Sequence, residues 1–410
     1  MTRYRSTAGV DKNCSFESVL MASYAPDGGL FMPEELPEFA WNSWTDYSFG
    51  QIVYEITRKF IDTSEISDDD LTDLVNEVYG PQQKFFDTPE IAKLSPTLNI
   101  SNADRQRQVH VLELFHGPSW AFKDYSLLLV GKLIGYFLAK RKRTTTMLVS
   151  TSGDTGSAAA MALKEIPGVN LFVLYPGNGR ISPIQELFLV TATGSNIHMF
   201  KADGDSDALD NVVKPIYNDT NFVQKYNIGS VNSINWGRIM LQMCHWFYGY
   251  LSLVRMGRLK LGQDLTVAVP TGACGNITAG LLCHQLGLPI RMVACTTSAN
   301  NLVHQLISQG CVSSSGRVTP TLAPAMDISQ PYNVERILFI LSEGKYRPLD
   351  YNFKLPAELH SKMRSIFASH AATDNDIKFT VKSVYSHNKY HVCPHTATAV
   401  DYAMRATEQK

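Results

Sequence analysis

Short apolar runs alternate along the chain with segments of helical pattern from Val109 onward. The apolar runs are rich in β-branched and aromatic residues, which is typical of buried strands. Their sequences are VHVLELF, TTMLVS, NLFVLY, SNIHMF, LTVAVP and PIRMVAC. Helices are predicted over 120–140, from Asp154 onward, and in WGRIMLQMCHWFYGYLSLV and ITAGLLCHQLG. This alternation indicates an α/β fold in which parallel sheets are covered by helices.

The first hundred residues have a different texture, because they are polar and aromatic and are interrupted by proline and glycine. One helix is predicted to begin there after Ser67, which is followed by three aspartates. Serine caps helix starts, and acidic residues favour the positive end of the helix. This change of texture predicts an N-terminal domain over 1–100 and an α/β region over 101–410.

Length and charge exclude some classes of protein. The 410 residues, 44% of them hydrophobic, can bury a large core and suggest two or three domains. The 37 basic and 38 acidic residues give a net charge of -1, so the chain has no global positive field that would hold a polyanion. We therefore expect an enzyme and no nucleic-acid partner.

The chain also lacks the marks of a secreted or membrane protein. Its N-terminus has no apolar signal-peptide core, and its most apolar segment, LLLVGKLIGYFLA, is short and carries Lys132. The seven cysteines are scattered and form no C-x-x-C pair, which favours reduced thiols. We expect a cytoplasmic protein without a membrane partner.

A glycine-containing segment between the strand LTVAVP and the next helix is a candidate phosphate site. Glycines let consecutive N–H groups turn inward, and the helix N-terminus adds partial positive charge. The segment has neither P-loop nor dinucleotide spacing, so a phosphate monoester fits better than a nucleotide. An ordinary strand-to-helix turn is the alternative. The candidate residues are Gly272, Ala273, Cys274, Gly275 and Asn276.

A second strand-to-helix segment, STSGDTGS, offers hydroxyl groups and backbone amides. We assign Ser152 and Thr155 to the binding of a substrate carboxylate or a second phosphate. The alternative is a plain helix cap formed by Ser152, Asp154 or Thr155.

A third junction, FHGPSWAFKD, carries Lys123 between Trp120 and Phe122. A lysine held among apolar groups gives up its proton more readily, and the neutral amine can condense with an aldehyde. The alternative is a surface lysine that keeps its charge in water.

Two further clusters carry polar groups. Asn235 and Arg238 lie three residues apart at the start of a predicted helix, where arginine suits a substrate phosphate, although a structural cap is the alternative. His391, Cys393 and His395 would share one face of an extended strand, with His387 nearby. No matching ligand pair lies close in sequence, so no metal is expected.

Five segments are informative together, and along the chain they are YRSTAG, APDGGLFMPEELP, FHGPSWAFKD, STSGDTGSAA and VPTGACGNITAG. They resemble the threonine synthase family of fungal and bacterial type, and within it the members from animals. The resemblance runs from residue 3 to about residue 400. It implies a tryptophan synthase β-like fold (fold type II), with an N-terminal threonine-synthase-type domain over 1–100 and a catalytic region of two α/β subdomains over 101–410. It also implies pyridoxal 5'-phosphate (PLP) as cofactor, Lys123 as the Schiff-base lysine, and Gly272 to Asn276 as the holder of the cofactor phosphate.

The chain departs from the family pattern at three places. Ser119 and Trp120 stand where the family has Thr-Leu, and Ala273 and Cys274 stand where it has Asn-Phe. The family also continues well beyond the segment that begins at Pro394, so truncation at the C-terminus is expected.

The resemblance implies elimination of phosphate from a phosphorylated amino acid. We expect a catabolic phospho-lyase that converts O-phosphohomoserine and O-phosphothreonine to 2-oxobutanoate, ammonia and phosphate, because animals do not make threonine and because Trp120 alters the wall beside Lys123. The alternatives are threonine synthase itself and a catalytically inactive binding protein on the same scaffold. The expected partner is the small substrate. A homodimer is compatible with the sequence, which does not decide the oligomeric state.

Overall fold

Helices and strands alternate in the computed structural model much as the sequence predicts. The structure describes residues 2–81, 93, 94, 98–100, 107–151, 153–177, 179–204, 206–348 and 350–408. The helices are α1 (Phe16–Met21), α2 (Phe49–Phe60), α3 (Asp68–Tyr79), α4 (Asp124–Arg141), α5 (Asp154–Leu163), α6 (Pro183–Thr191), α7 (Ser206–Asn218), α8 (Thr220–Tyr226), α9 (Trp236–Arg255), α10 (Gly275–Gln285), α11 (Leu302–Gln309), α12 (Val334–Leu341), α13 (Ala357–Ile366), α14 (Asp374–Asn388) and α15 (Pro394–Glu408). The strands are β1 (Tyr4–Ser6), β2 (Phe31–Pro33), β3 (Lys93–Leu94), β4 (Leu98–Ile100), β5 (Arg107–Val109), β6 (Leu112–Glu113), β7 (Thr145–Ser150), β8 (Val169–Pro176), β9 (Ile197–Ala202), β10 (Ile228–Gly229), β11 (Leu265–Pro270), β12 (Ile290–Thr297), β13 (Cys311–Ser313), β14 (Asn352–Lys354) and β15 (Phe367–Ala372).

Five of the six predicted strands form where the apolar runs place them. TTMLVS is β7, and NLFVLY, SNIHMF, LTVAVP and PIRMVAC overlap β8, β9, β11 and β12. The prediction for VHVLELF is wrong, because this segment contributes to two short strands, β5 and β6, in separate two-stranded sheets. Both pair antiparallel, β5 with β4 and β6 with β3.

The helix predicted over 120–140 begins later than expected. Trp120 has a φ of 57°, which is incompatible with a right-handed helix, and α4 starts at Asp124. The residues before it form a turn that brings Lys123 to the cap position of the helix. This difference sets the place of the candidate catalytic lysine.

One compact unit of the chain contains Met1–Ala92 and Leu114–Arg255. Its sheet has the strand order β10-β7-β8-β9, and every neighbouring pair is parallel. Met147 and Val149 of β7 are fully buried, as expected for a sheet covered on both faces. Helix α9 is buried along almost its whole length.

The N-terminal helices of this unit begin at capped residues. Ser48 and Gln51 form a capping box at the start of α2. The Ser67 hydroxyl accepts a hydrogen bond from the Asp70 N–H at 3.1 Å, which confirms the helix start predicted there. Each cap satisfies N–H groups that a helix leaves without an internal partner.

The other compact unit contains Lys93–Glu113 and Met256–Lys410. Its sheet has the order β11-β12-β15 and is also parallel. An apolar cluster joins α14 and α15 to the short 3₁₀ turn at Pro324–Met326 and its neighbours. Its buried members are Ala323, Met326, Ala372, Ile377, Val384, Val392, Ala397 and Val400.

The predicted domain boundary at residue 100 stays a prediction, because each compact unit is built from two separate stretches of the chain.

None of the helices in the described residues has the length and apolar character needed to cross a lipid bilayer.

Candidate active site

The turn before α4 is built around a buried carboxyl group. Asp124 is fully buried and accepts hydrogen bonds from the Ser119 N–H at 2.8 Å and the Ser119 hydroxyl at 2.7 Å. A side chain at Gly117 would overlap this carboxyl, so glycine is required there. Burial raises the pKa of Asp124 to about 6 against the effect of the Ser119 hydrogen bonds. The Ser119–Asp124 contact fixes the turn that carries Lys123.

Lys123 presents its amino group to a carboxylate. Its Nζ lies 2.7 Å from Oδ2 of Asp154, and little of either side chain is exposed. The same Nζ lies 4.4 Å from the centroid of the Phe122 ring. Trp120 instead packs edge-on against Phe188 at 5.2 Å between ring centroids. Of the two predicted aromatic neighbours, Phe122 therefore contacts the amine.

The sequence suggests Asp154 only as a possible helix cap. In the structure its second carboxylate oxygen accepts a hydrogen bond from the Gln185 amide, and Gln185 is in turn held by Ser182 at 2.9 Å. A carboxylate held from two sides has a fixed position relative to Lys123. The only local signal for this pairing is the placement of Asp154 at a strand-to-helix junction.

The loop between β7 and α5 is held by its own side chains. The Thr151 hydroxyl lies 3.1 Å from the Gly153 N–H, which donates to it. Thr155 is the second residue of α5 and is partly exposed. Ser152, the other predicted substrate residue of this loop, lies outside the described residues.

The polar atoms of Asn235 contact the protein itself. Its amide donates to the Leu20 carbonyl at 2.8 Å and to the Ser230 carbonyl at 2.9 Å. Its Oδ1 accepts from the Gly237 N–H at 2.9 Å. These contacts favour the structural cap that the sequence left open as the alternative to substrate binding.

Arg238 is a buried cation near the start of α9. Only 2% of its surface is exposed, and one of its terminal nitrogens donates to the Val231 carbonyl at 3.0 Å. Its Nε has no hydrogen-bond partner among the described residues. Burial lowers the pKa of Arg238 to about 10. An anion that reached this guanidinium would meet an unused donor.

The predicted phosphate segment follows β11 and opens α10. Cys274 occupies the cap position with a φ of 63° and makes no side-chain cap hydrogen bond. The first N–H groups of a helix have no acceptor within the helix, and the Cys274 side chain at the cap position supplies none here. The buried Cys274 thiol contacts the Gly272 carbonyl at 3.5 Å, and burial raises its pKa. The helix start therefore suits a phosphate.

Glycine is needed at position 272 because another stretch of backbone lies against it. A Cβ there would come within 2.9 Å of the Ala325 carbonyl oxygen. From the sequence, this glycine is expected only to let the backbone turn its N–H groups inward. Gly275 and Asn276 complete the segment as the first two residues of α10.

The histidines considered as metal ligands have separate partners. His387 contacts the Ser383 carbonyl at 2.8 Å, and His391 lies against the Tyr385 ring at 4.5 Å between centroids. His395 Nε2 accepts from the Ala325 N–H at 3.1 Å. No group of three or more metal-ligating side chains occurs in the described part of the chain.

Two family models match the sequence. The model for the threonine synthase N terminus matches residues 3–79, and the model for pyridoxal-phosphate dependent enzymes matches residues 93–410. The chain is 39% identical over 412 residues to threonine synthase-like 2 of Xenopus laevis, across 98% of this chain and 84% of that protein. The chain belongs to the threonine synthase family. It is also 34% identical over 446 residues to threonine synthase of Schizosaccharomyces pombe, across 99% of this chain and 84% of that protein.

A solved structure of the threonine synthase family agrees. The threonine synthase of Brucella melitensis with bound PLP is 31% identical and superposes with a TM-score of 0.86, across 100% of this chain and 86% of that chain. The predicted fold type II architecture and the predicted PLP cofactor are confirmed.

The residues present fit PLP. The start of α10 has backbone donors without a capping side chain, which suits the cofactor phosphate. Lys123 supplies a primary amine that a carboxylate holds in place, which suits the cofactor aldehyde. Lys123 belongs to the unit that contains Leu114–Arg255, and the start of α10 belongs to the unit that contains Met256–Lys410.

Proposed function

We propose that this threonine synthase family member is a phospho-lyase of phosphorylated hydroxyamino acids. O-phosphohomoserine or O-phosphothreonine would react with one water and give 2-oxobutanoate, ammonia and phosphate. The overall reaction needs no oxidant or reductant. Phosphate leaves from the β-carbon directly, or from the γ-carbon after a second proton is removed.

Lys123 is the proposed catalytic residue. When bound, PLP withdraws electrons from the α-carbon of an amino acid and makes its proton removable. Lys123 would hold the cofactor at its aldehyde, and its Nζ would receive the α-proton of the substrate. Asp154, 2.7 Å from that atom, stabilises the ammonium group that results. The backbone of Gly272 to Asn276 is the proposed holder of the cofactor phosphate.

The proposal of a phosphorylated substrate depends mainly on Arg238. A buried guanidinium with an unused Nε donor suits a doubly charged phosphate, which offers the counter-charge that the described residues around it do not provide. Asn235 supports this role by fixing the chain just before α9. We propose Ser152 and Thr155 for the substrate carboxylate.

Release of the keto acid is proposed over water addition to give threonine. The chain has higher identity to the threonine synthase-like relative than to the fungal synthase, which supports this choice. Trp120, in the turn that carries Lys123, replaces the leucine of the synthase pattern and supports it further. Threonine synthesis is the second candidate, because the fungal synthase matches nearly the whole chain.

The experiment measures three products from both phosphorylated substrates with PLP-loaded protein. We expect phosphate and 2-oxobutanoate in equal amounts, without threonine. Threonine in place of the keto acid would establish the synthase. A protein that binds PLP and releases no phosphate would contradict both and leave a binding role.

The same assay tests Arg238. Arg238→Ala should lower kcat/KM by about ten- to a hundredfold, because a charge-assisted contact is worth roughly 1.5–3 kcal/mol. Arg238→Lys should recover part of this, since it keeps the charge and loses the planar fork. Unchanged kcat/KM in Arg238→Ala would return this residue to a structural role.

A further inference from the structure

One carbonyl of the phosphate segment is held by two donors from the same residue. Asn333, at the start of α12, donates to the Ala273 carbonyl from its side-chain amide at 2.9 Å and from its backbone N–H at 3.2 Å. Asn333 is fully buried. The carbonyl is therefore fixed in one direction.

The direction of this carbonyl decides where the next N–H points. A peptide bond is planar and trans, so the Ala273 C=O and the Cys274 N–H point in opposite directions. Because the carbonyl points at Asn333, the Cys274 N–H points to the other side of the segment. Cys274 is also the cap residue of α10, so its N–H immediately precedes the first N–H groups of that helix along the chain. A phosphate at the helix start would meet these donors together.

Asn333 is itself held in one orientation. A terminal nitrogen of Arg336, which is also fully buried, donates to Asn333 Oδ1 at 2.6 Å. A guanidinium can only donate, so this contact identifies the oxygen of the Asn333 amide and leaves the nitrogen facing Ala273. Reversing the amide would place two donors against each other.

We propose that Asn333 is a positioning residue for the cofactor phosphate, which acts by aiming the Cys274 N–H from the opposite side of the peptide. The proposal rests on the assignment of Gly272 to Asn276 as the phosphate holder. Asn333 does not touch the phosphate. Its contribution is to prepare the donor group before the anion arrives, so that binding does not have to reorganise the segment.

The test compares the binding of PLP with the binding of pyridoxal, which lacks the phosphate. The full chain is stripped of cofactor, and both dissociation constants are measured by equilibrium dialysis. The dissociation constant of pyridoxal divided by that of PLP reports the contribution of the phosphate alone. We expect Asn333→Ala to lower this ratio by about tenfold or more, since hydrogen bonds to a charged group are worth roughly 1.5–3 kcal/mol.

A matched control is Asn196→Ala. Asn196 also donates to two backbone carbonyls, those of Leu163 at 2.9 Å and Val169 at 3.0 Å, but it lies outside the phosphate segment. This variant should lose stability and keep the ratio. If Asn333→Ala does not fold, Asn333→Leu keeps nearly the same size and adds no charge, loses the side-chain donor, and should lower the ratio as well.

An unchanged ratio in a folded Asn333 variant overturns the proposal. Gly272→Val separates this failure from failure of the underlying assignment, because its side chain would displace the segment from Ala325. If the ratio falls only in Gly272→Val, Asn333 has no positioning role and the assignment of the phosphate segment stands. A ratio unchanged in both variants places the phosphate elsewhere and overturns both.

Discussion

At the scale of single residues, Lys123 and Asp154 form the contact on which the proposed chemistry depends. The two groups lie 31 positions apart in sequence and meet at 2.7 Å. Phe122 covers one side of the amine at 4.4 Å. A lysine held in this way has its reactive nitrogen in one place, whereas an exposed lysine samples many rotamers.

Borohydride reduction of the PLP-loaded protein tests this residue. We expect the cofactor to become permanently attached to Lys123 and to be found there by peptide mapping. Lys123→Arg should remove the label, because a guanidinium does not condense with the aldehyde. Lys132, which pairs with Glu77 at 2.7 Å on the surface, is the control that should stay unlabelled. A label on any other lysine would contradict the assignment.

At the scale of elements, the turn before α4 depends on one titratable group. Because burial raises the pKa of Asp124 from 3.8 to about 6, the folded protein binds this proton more tightly than the unfolded chain does. The contribution of Asp124 to stability is therefore complete below about pH 4 and is lost as the pH rises through 6. The difference between 3.8 and about 6 corresponds to about 3 kcal/mol.

Urea unfolding between pH 4 and pH 7 measures this effect. We expect the free energy of unfolding of the natural protein, minus that of Asp124→Asn, to fall by up to about 3 kcal/mol over this range. Other carboxylates titrate equally in both proteins and cancel in the difference. A difference that is constant with pH would show that Asp124 ionises as it does in the unfolded chain.

Elements whose signal is local could be predicted from the sequence. Ser67 and the aspartates after it mark the start of α3, and the apolar runs mark β7, β8, β11 and β12. The predicted start of α4 is wrong because the turn before it depends on Asp124 and Gly117 together, and a hydrophobic pattern does not show such a contact.

The candidate site divides along the same line. The phosphate segment and Lys123 stand at strand-to-helix junctions and could be found from sequence. The contacts of Asn235 with Leu20 and of Asn333 with Ala273 could not be predicted, since the partners lie 215 and 60 positions away. The residues that neighbour each asparagine in sequence do not predict such a contact.

At the scale of the whole molecule, the cysteines differ in their access to solvent. Four are buried, two are intermediate and Cys393 is exposed. Loss of water around its sulfur works to raise the pKa of Cys393, but hydrogen bonds from His395 and Thr396 lower it to about 7. Burial raises the pKa of Cys244, Cys274 and Cys295.

Alkylation with iodoacetamide should follow this order. We expect Cys393 to react first in the native protein, at a rate that rises as the pH passes through about 7, because the thiolate is the reactive form. The four buried cysteines, Cys244, Cys274, Cys283 and Cys295, should react only after unfolding. Cys393→Ser should remove the fast phase, and a fast phase that persists in this variant would contradict the assignment.

The exposed indole of Trp120 gives the protein an optical property. Trp120 has 69% of its surface exposed, whereas Trp44, Trp236 and Trp246 are buried, so its fluorescence is expected at longer wavelength and open to soluble quenchers. Trp120 lies three positions before Lys123, which limits the distance between their α-carbons to about 11 Å. A chromophore attached to that lysine would accept excitation energy from this indole over so short a span. Loading with PLP would therefore quench the long-wavelength part of the tryptophan emission. The intrinsic fluorescence of the protein would then report how much of Lys123 carries the cofactor.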